Sequence, residues 1–131
     1  MSFVVRIITP KGLYAKLDAS SLTVKLTTGY RTILKGHMDL VGALDIAPMY
    51  VVIDNNRRYY ALHGGAINVT KDGVTLIVNA IESKDEIDVE RAKASKERAE
   101  TRLNSNDSNI DTKRAIIALK KSLVRIETSE K

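Results

Sequence analysis

The sequence predicts two structural units, an N-terminal antiparallel β-sandwich over residues 1–84 and a C-terminal antiparallel two-helix hairpin over residues 85–131. In the first part, apolar residues alternate along short runs rich in β-branched side chains, which is typical of strands. In the second part, Ala, Glu, Lys and Arg dominate and the apolar spacing changes to the helical period. The change falls within residues 83–88, where we expect one unit to give way to the other.

Six short segments of the N-terminal part fit the strand pattern, at residues 3–8, 22–27, 49–53, 59–62, 66–70 and 74–80. Turn-forming residues separate several of them, as in the sequences PKG at 10–12, DNN at 54–56 and KDG at 71–73. Hairpins of this length bury their apolar positions by folding into two layers, which predicts a sandwich or flattened barrel. Residues 29–46 fit neither period, so we expect an exposed loop there, a usual place for partner contacts.

The composition excludes several classes of protein. With 44% apolar and 28% charged residues the chain is typical of a globular protein, and one Phe with no Trp predicts an aliphatic core. The lack of Cys excludes disulfides, thiolate metal sites and a cysteine nucleophile. No P-loop, G-x-S-x-G or H-E-x-x-H motif occurs, and His37 and His63 have no metal-ligand or triad partner at a usual spacing. We therefore expect no catalytic site and no required cofactor.

Charge and hydropathy bear on location and partners. The net charge of +5 is modest and is shared between the two parts, which argues against strong nucleic-acid binding. No apolar run approaches the roughly 20 residues that cross a bilayer, and the first residues lack the apolar core of a signal peptide. We expect a cytoplasmic protein that meets a membrane only through partners.

The first helix is predicted to begin after Ser83, which forms a capping-box pattern with Glu86. Acidic residues near a helix start also favour it through the helix dipole. Apolar residues form one narrow stripe, at Val89, Ala92, Ala99 and Leu103, and arginines form a neighbouring stripe, at Arg91, Arg98 and Arg102. The apolar stripe is too small to be a core, so this helix is expected to lie against another element.

The polar run 104–109 breaks the first helix, and Ser108 with Asp111 predicts a second helix through about residue 127. This helix carries two apolar stripes, Ile116, Leu119, Leu123 and Ile126 in one and Ile110, Ile117 and Val124 in the other. Basic residues lie in a third direction, at Arg114, Lys121 and Arg125. Because short isolated helices are marginal in water, the hairpin must dock on the sandwich or on another protein, and two apolar stripes permit either.

Three segments together resemble the epsilon subunit of bacterial F-type ATP synthase. They are ILKGHMDLVGALDI at 33–46, HGGAINVTKDGVTLIVNA at 63–80 and IDVERAKASKERAETRL at 87–103, in the family's order and spacing. The resemblance implies a ten-stranded sandwich and two antiparallel helices on the central stalk of a proton-translocating enzyme, at the cytoplasmic face of the bacterial cell membrane. In that family the sandwich contacts the gamma subunit and the rotor ring. The helices fold down or extend up the shaft, and the extended form inhibits ATP hydrolysis.

The resemblance also assigns partner contacts residue by residue. Gly36, His37 and Leu40 correspond to the gamma-contact segment, and Tyr30 with Arg31 corresponds to the ring-facing turn. Several positions depart from the family's usual Gly, Pro or acidic residues, at Tyr30, Thr32, Lys35 and Asp39, and predict a less rigid loop. Basic residues of the second helix correspond to the surface that docks on an acidic loop of the beta subunit, at Lys113, Arg114, Lys120 and Lys121. Ordinary solubility is the alternative explanation for these cations.

Some members of this family bind ATP as a regulatory ligand through an I/L-D-x-x-R-A motif, which residues 87–92 match in full. The resemblance places four residues near adenosine, Glu82, Ile87, Asp88 and Ala92, and four near the phosphates, Arg91, Arg98, Lys121 and Arg125. Lys121 stands where strong binders have arginine, and lysine lacks the planar bidentate fork, so weaker phosphate binding is expected. Two basic stripes repel each other when the helices fold together, and a polyanion between them would offset that repulsion.

Simpler interpretations of the same residues stay open. Glu86 and Asp88 also suit a helix start, and the arginine stripe also suits a solvated helix face. Two other functions remain as alternatives, a stand-alone ATP-sensing protein and a nucleic-acid-binding protein of the same architecture. Failure to form a complex with recombinant gamma subunit would favour the first, and a steep loss of DNA or RNA affinity with salt would favour the second.

Overall fold

The computed structural model describes residues 1–105 and 111–131, and within them the chain forms eight β-strands, a 3₁₀ turn and two α-helices. The strands are β1 (Phe3–Thr9), β2 (Gly12–Ala19), β3 (Ser21–Leu26), β4 (Gly29–Leu34), β5 (Leu40–Ile53), β6 (Asn56–Thr70), β7 (Gly73–Val78) and β8 (Ile81–Ser83). The 3₁₀ turn is Lys84–Glu86, and the helices are α1 (Val89–Leu103) and α2 (Thr112–Ser129). The predicted order of a β-sandwich followed by two helices is confirmed.

The strands form one continuous sheet that folds over on itself. Its order is β2-β1-β7-β6-β5-β3-β4, with β8 paired to the first half of β6. The second half of β6 pairs with β7, while β3 pairs mainly with the second half of β5. The two long strands β5 and β6 therefore run through both layers, and the sandwich has eight strands instead of the ten implied by the resemblance.

The bend in β6 lies at Gly64 and Gly65, whose φ angles are +81° and +146°. These are conformations that residues with a Cβ atom rarely adopt. A Cβ added at Gly65 would lie 2.2 Å from the backbone oxygen of Ile77, so the sheet closes tightly at this point. The glycine pair lets a single strand serve both layers of the sandwich.

The space between the layers is filled by aliphatic side chains with Tyr60, as the composition predicts. Among the largest fully buried residues are Ile7 on β1, Leu22 on β3, Met49 on β5 and Leu76 on β7. Every layer thus contributes to one shared core, and burial of this kind is the main favourable contribution to folding.

Three expectations about the strands are corrected. Residues 29–46 are not a loop, because β4 and the first part of β5 occupy all of this stretch except 35–39. In β4, Ile33 faces the core, and the hydroxyl of Thr32 forms a hydrogen bond of 2.9 Å with the hydroxyl of Thr23 on β3. Pairing with a neighbouring strand therefore decides the structure where the local sequence pattern is weak. Strand β2 was not among the predicted strand segments. Strand β1 pairs with β7 in parallel, so the sheet is not built from antiparallel hairpins alone.

The helix starts differ in detail from the prediction. The capping box of Ser83 and Glu86 is present, but it caps the 3₁₀ turn, and α1 begins at Val89 with Asp88 as its N-cap. The side chains of Asp88 and Asp111 each accept a hydrogen bond, at 3.1 Å, from the backbone N–H three residues on, which satisfies the first turn of each helix. Ser108 and Ile110, which the sequence assigned to the second helix and its stripes, lie outside the described residues.

The helices pack through small side chains. On α1, Ala92 and Ala99 are buried as predicted, and Val89 and Leu103 are half-buried. On α2, which packs against α1, β5 and β6, the buried residues are Ala115, Ser122, Val124 and Thr128. The larger apolar residues Ile116 and Leu123 stay 44% exposed, so the docked hairpin does not bury the predicted stripe that contains them, whereas Val124 of the other predicted stripe is buried.

The tight closure at Gly65 predicts a large cost for substitution there. We expect Gly65→Ala to lower the free energy of unfolding by at least about 2 kcal/mol more than Gly12→Ala, because both strain the backbone but only the first also clashes. Gly12 is the matched control, since it has φ +115° and no heavy atom within 4 Å of an added Cβ. Urea unfolding followed by circular dichroism measures both, and equal destabilisation would contradict the expectation.

Candidate functional site

A polar cavity of about 340 Å³ lies where the sandwich, the 3₁₀ turn and the two helices meet. Its lining consists of Glu82, Glu86, Asp88, Arg91, Ala92, Ser95 and Arg125. β8 supplies Glu82, the 3₁₀ turn supplies Glu86, and α2 supplies Arg125, while the other four lie at or just inside the start of α1. The cavity exists only while α2 lies against the sandwich, because Arg125 is one of its walls.

Glu82 connects the sheet to α2. Pairing with Ala61 on β6 holds Glu82 in β8, and its Oε1 atom accepts from Arg125 Nε at 2.5 Å. The same Oε1 atom lies 3.2 Å from Nε2 of His63, which is two residues along β6 and therefore on the same face as Ala61. Burial lowers the pKa of His63, and the nearby positive charges of Arg125 and Lys121 add to this against the opposing hydrogen bond with Glu82.

Glu86 is held by two hydrogen bonds to the sandwich side. The backbone N–H of Ser83 donates to Glu86 Oε1 at 3.0 Å, and the Tyr14 hydroxyl of β2 donates to the same oxygen. These two bonds lower the pKa of Glu86, with the larger effect from Tyr14. Burial, reinforced by the Glu86 contact, raises the pKa of Tyr14 to about 12. Through Glu86 the 3₁₀ turn is thereby attached to the sandwich.

The start of α1 supplies the remaining wall. Asp88 caps the helix, and Arg91, Ala92 and Ser95 follow on the face toward the cavity. Unpaired N–H groups and the helix dipole make such a terminus favourable for anions. Arg98 lies farther along α1, and its Nη2 donates a hydrogen bond to Ser95 Oγ at 2.9 Å. Arg98 therefore contacts a residue of the lining without being part of the lining itself.

The lining combines three carboxylates with two guanidinium groups. Arg91 and Arg125 suit phosphate oxygens, because a guanidinium can form paired, charge-assisted hydrogen bonds. The carboxylates can accept from hydroxyl or amino groups. The arrangement therefore fits a ligand with an anionic part and a part rich in hydrogen-bond donors.

Five of the residues assigned to nucleotide from the sequence converge in this cavity, namely Glu82, Asp88, Arg91, Ala92 and Arg125. Ile87 is half-buried between the 3₁₀ turn and α1, while Arg98 and Lys121 lie outside the lining. The assignment missed Glu86 and Ser95. Ser95 could have been found, because it lies one helical turn beyond Arg91 and Ala92.

The residues assigned to partner contacts are dispersed over the surface. Tyr30 and Arg31 are exposed on β4, Gly36 and His37 lie between β4 and β5, and Leu40 begins β5. His37 Nδ1 lies 2.8 Å from the Met38 carbonyl oxygen, which is an ordinary polar contact. A second cavity of about 460 Å³ separates residues 35–37 from the turn between β6 and β7. Exposed basic residues on α2 are Lys113, Arg114 and Lys120.

Tyr30 is closer to the hairpin than its assignment implied. Burial raises its pKa, and the negative charges of Glu127 and Asp45 contribute further. Since Glu127 belongs to α2, the docked helix acts electrostatically on the residue assigned to the rotor ring.

An apolar row crosses the outer face of the sandwich and was not predicted. Cross-strand pairing aligns its members, which are Ala43, Ala66, Ile77, Ile8 and Leu13. We call these five residues the outer apolar row. Ile77 is 58% exposed and Leu13 is 62% exposed. Large apolar residues aligned on a surface mark contact sites more often than isolated ones do.

Within residues 1–105 and 111–131, no cluster of His, Asp or Glu is suited to hold a metal ion. In the same described residues, neither helix has the length and apolar content needed to cross a bilayer.

Comparisons with known proteins agree over the whole chain. Residues 2–84 match the family described as ATP synthase, Delta/Epsilon chain, beta-sandwich domain, and residues 85–130 match ATP synthase, Delta/Epsilon chain, long alpha-helix domain. The ATP synthase epsilon chain of Ruminococcus albus is 38% identical over 130 residues, which cover 98% of this chain and 97% of that one. The epsilon chain of Bacillus cytotoxicus is 35% identical over 128 residues, covering 98% and 96%.

Solved structures share the fold at low sequence identity. A chain of the Euglena gracilis mitochondrial ATP synthase, in a structure of OSCP, F1 and c-ring, gives a TM-score of 0.85 at 19% identity, with 99% of this chain and 82% of that chain covered. A chain of the Tetrahymena thermophila mitochondrial ATP synthase, in a structure of the central stalk and c-ring, gives 0.60 at 18% identity, covering 99% and 95%.

Proposed function

The chain belongs to the ATP synthase epsilon-chain family, and from this premise we propose that it is a non-catalytic rotor subunit whose helical hairpin regulates ATP hydrolysis in response to ATP. The sandwich would couple rotation of the ring to the catalytic head. Its place would be the central stalk at the cytoplasmic face of the bacterial membrane, with membrane contact made only through partner subunits. The place in the central stalk is supported by the solved complexes that share this fold, which contain the c-ring and, in one case, are described as the central stalk.

The outer surface of the sandwich supports a role in docking. The outer apolar row presents Ile77 and Leu13 to solvent, and Met38 in the 35–39 loop and Val41 at the start of β5 are also highly exposed. Large apolar residues that stay exposed to solvent promote aggregation, whereas a permanent partner would bury them. We assign the outer apolar row and residues Gly36, His37 and Leu40 to the gamma subunit, and the exposed start of β4 at Tyr30 and Arg31 to the ring.

The hairpin has the properties expected of a movable element. Its docked contacts involve small side chains and a few polar links, among them Arg125 with Glu82 and Lys84 with the Lys131 carbonyl oxygen. The larger side chains Ile116 and Leu123 remain available on the other face of α2. Extension along the shaft would bury them and would bring Lys113, Arg114 and Lys120 to an acidic surface of the beta subunit.

One observation carries the nucleotide part of the proposal, namely that Glu82, Asp88, Arg91, Ala92 and Arg125 line one cavity between hairpin and sandwich. Its size is at the small end of ligand pockets, which usually measure about 300–1,000 Å³. Because Arg91 belongs to α1 and Arg125 to α2, a bound polyphosphate would hold both helices at the sandwich. ATP would then favour the docked, non-inhibitory posture, since a ligand stabilises the state that binds it.

ATP should therefore raise the melting temperature of the isolated chain. At 100 times the dissociation constant the expected stabilisation is about 2.7 kcal/mol, which corresponds to a shift of several degrees. Arg91→Ala should abolish the shift, whereas Arg102→Ala, an exposed arginine of the same helix outside the cavity, should preserve it. Differential scanning fluorimetry checks this, and the absence of any wild-type shift at millimolar ATP would refute nucleotide binding.

Removal of the hairpin should activate hydrolysis in the assembled enzyme. A chain ending at Ile87 keeps the contacts of Glu86 with Tyr14 and Ser83, so the sandwich should stay folded and should still join the complex. Without α1 and α2, no segment can extend into the catalytic head, and the rate of ATP hydrolysis should rise. Unchanged hydrolysis at equal occupancy of the complex would contradict the inhibitory role.

A charge on the outer apolar row should weaken binding to the gamma subunit. We expect Ile77→Glu to raise the dissociation constant by about tenfold or more, because it places an unpaired charge in an apolar contact. Thr101→Glu introduces the same charge at an exposed position on α1 and serves as the control. Gel filtration and calorimetry with recombinant gamma subunit measure the effect, and an equal effect of both variants would contradict the assignment.

A further inference from the structure

His63 is a buried, titratable residue outside the sandwich core. Its side chain is 0% exposed, and its backbone N–H donates to the Ala80 carbonyl oxygen at 3.0 Å, so its position is fixed. It is not part of the core between the layers, because it lies on the outer face of β6 with Ala61. The cover over that face is α2, which packs on β5 and β6.

The two ring nitrogens of His63 have different surroundings. Nε2 lies 3.2 Å from Glu82 Oε1, whereas buried Nδ1 has no hydrogen-bond partner among the described residues. A neutral imidazole with its proton on Nε2 fits this arrangement, because Nε2–H then donates to Glu82 and Nδ1 needs no acceptor. A second proton would sit on Nδ1 as a buried donor without a partner, which destabilises the docked state.

The charges around the ring also disfavour an imidazolium. On α2, the cations Arg125 and Lys121 act on His63. On α1, Arg91 lines the same cavity as Glu82. From β8, Glu82 is the opposing anion, but it already accepts from Arg125 at 2.5 Å. The facing residue on β5, Ile46, carries no charge. A proton on His63 would therefore add a positive charge beside cations that one carboxylate partly neutralises.

We propose that His63 is a positioning residue that holds Glu82 in place for Arg125, and that protonation of His63 releases α2 from the sandwich. The inference deepens the proposed function and rests on its movable hairpin. The ligand is a proton, and the contact that it breaks is the Glu82–Arg125 link, which also forms a wall of the proposed nucleotide cavity.

The direction of the pH dependence follows from the burial of the ring. In the docked state the pKa of His63 is lowered from its ordinary value of 6.5, whereas an undocked hairpin leaves the ring exposed with an ordinary pKa. The undocked form takes up a proton first as the pH falls. Docking is therefore fully favoured above about pH 6.5 and weakens below it, by about tenfold in the docking equilibrium for each unit by which the two pKa values differ.

The test uses the full chain with two spin labels. The sequence has no Cys, so Thr28→Cys in the exposed turn after β3 and Thr112→Cys at the start of α2 can be labelled specifically. Distance distributions between the labels report the docked fraction from pH 8.0 to pH 5.5 without nucleotide. We expect the ratio of docked to undocked chains to fall at least about threefold over this range, and His63→Gln, which keeps a donor toward Glu82 but does not titrate, to remove the dependence. The same pH dependence in His63→Gln would overturn the proposal.

A second measurement keeps the proposal testable even if the variant unfolds. Proton NMR follows both imidazoles of the wild-type chain, and His37→Gln identifies which resonance belongs to His63. An apparent pKa of His63 below 6.5 is expected, and a value at or above 6.5 overturns the proposal.

Addition of ATP to the labelled chain separates this inference from the proposed function. A distance that responds to ATP but not to pH overturns the role of His63 and leaves the movable hairpin intact. A distance that responds to neither contradicts the movable hairpin and, with it, the inference.

Discussion

The hydrogen-bonded ion pair between Glu82 and Arg125 is the interaction on which the position of the hairpin relative to the sandwich depends. Glu82 belongs to the last strand of the sandwich, yet its Oε1 atom accepts from Arg125 of α2 while lying 3.2 Å from His63 of β6. A partly buried ion pair contributes little net stability when it forms, but loss of one partner leaves the other charge without compensation. Such a contact is suited to defining a position rather than to holding it strongly. The hairpin thus has a specific docked geometry, which is compatible with the proposed movement away from it.

The bend at Gly64 and Gly65 explains why this carboxylate is where it is. By turning β6 from one layer into the other, the glycine pair places His63 and Ala61 on an outer face, where the small Ala61 side chain lets α2 approach closely. The same bend carries the second half of β6 into the layer that holds the outer apolar row. One feature of the backbone therefore separates two surfaces, the one that carries the outer apolar row and the one on which the hairpin docks.

The sequence was sufficient for the order of the units, the aliphatic core and the apolar face of α1, because each depends on a local period, but it placed the start of the first helix at Ser83 instead of at the observed N-cap Asp88. It was insufficient for residues 29–46, where strand formation depends on pairing with β3 and β6 rather than on local propensity. Five of the eight residues assigned to nucleotide were brought into one cavity. Four of them come from the motif at 87–92 and nearby Glu82, and the fifth, Arg125, comes from the basic pair that the resemblance implied on the second helix. Contacts between distant positions, such as Tyr14 with Glu86 and His63 with Glu82, left no trace in spacing. Nor did the sequence show that α2 would bury its small face and leave its larger apolar residues exposed.

The two faces of α2 differ in the size of their side chains, and this difference has an evolutionary consequence. Ala115 and Ser122 serve the docked posture, whereas Ile116 and Leu123 do not, so the two sets can change by separate point mutations. Under the proposed function, natural selection can then adjust the balance between the docked and extended postures in either direction without rebuilding the sandwich. Lineages living at different cellular energy levels could each acquire their own threshold from an otherwise shared scaffold.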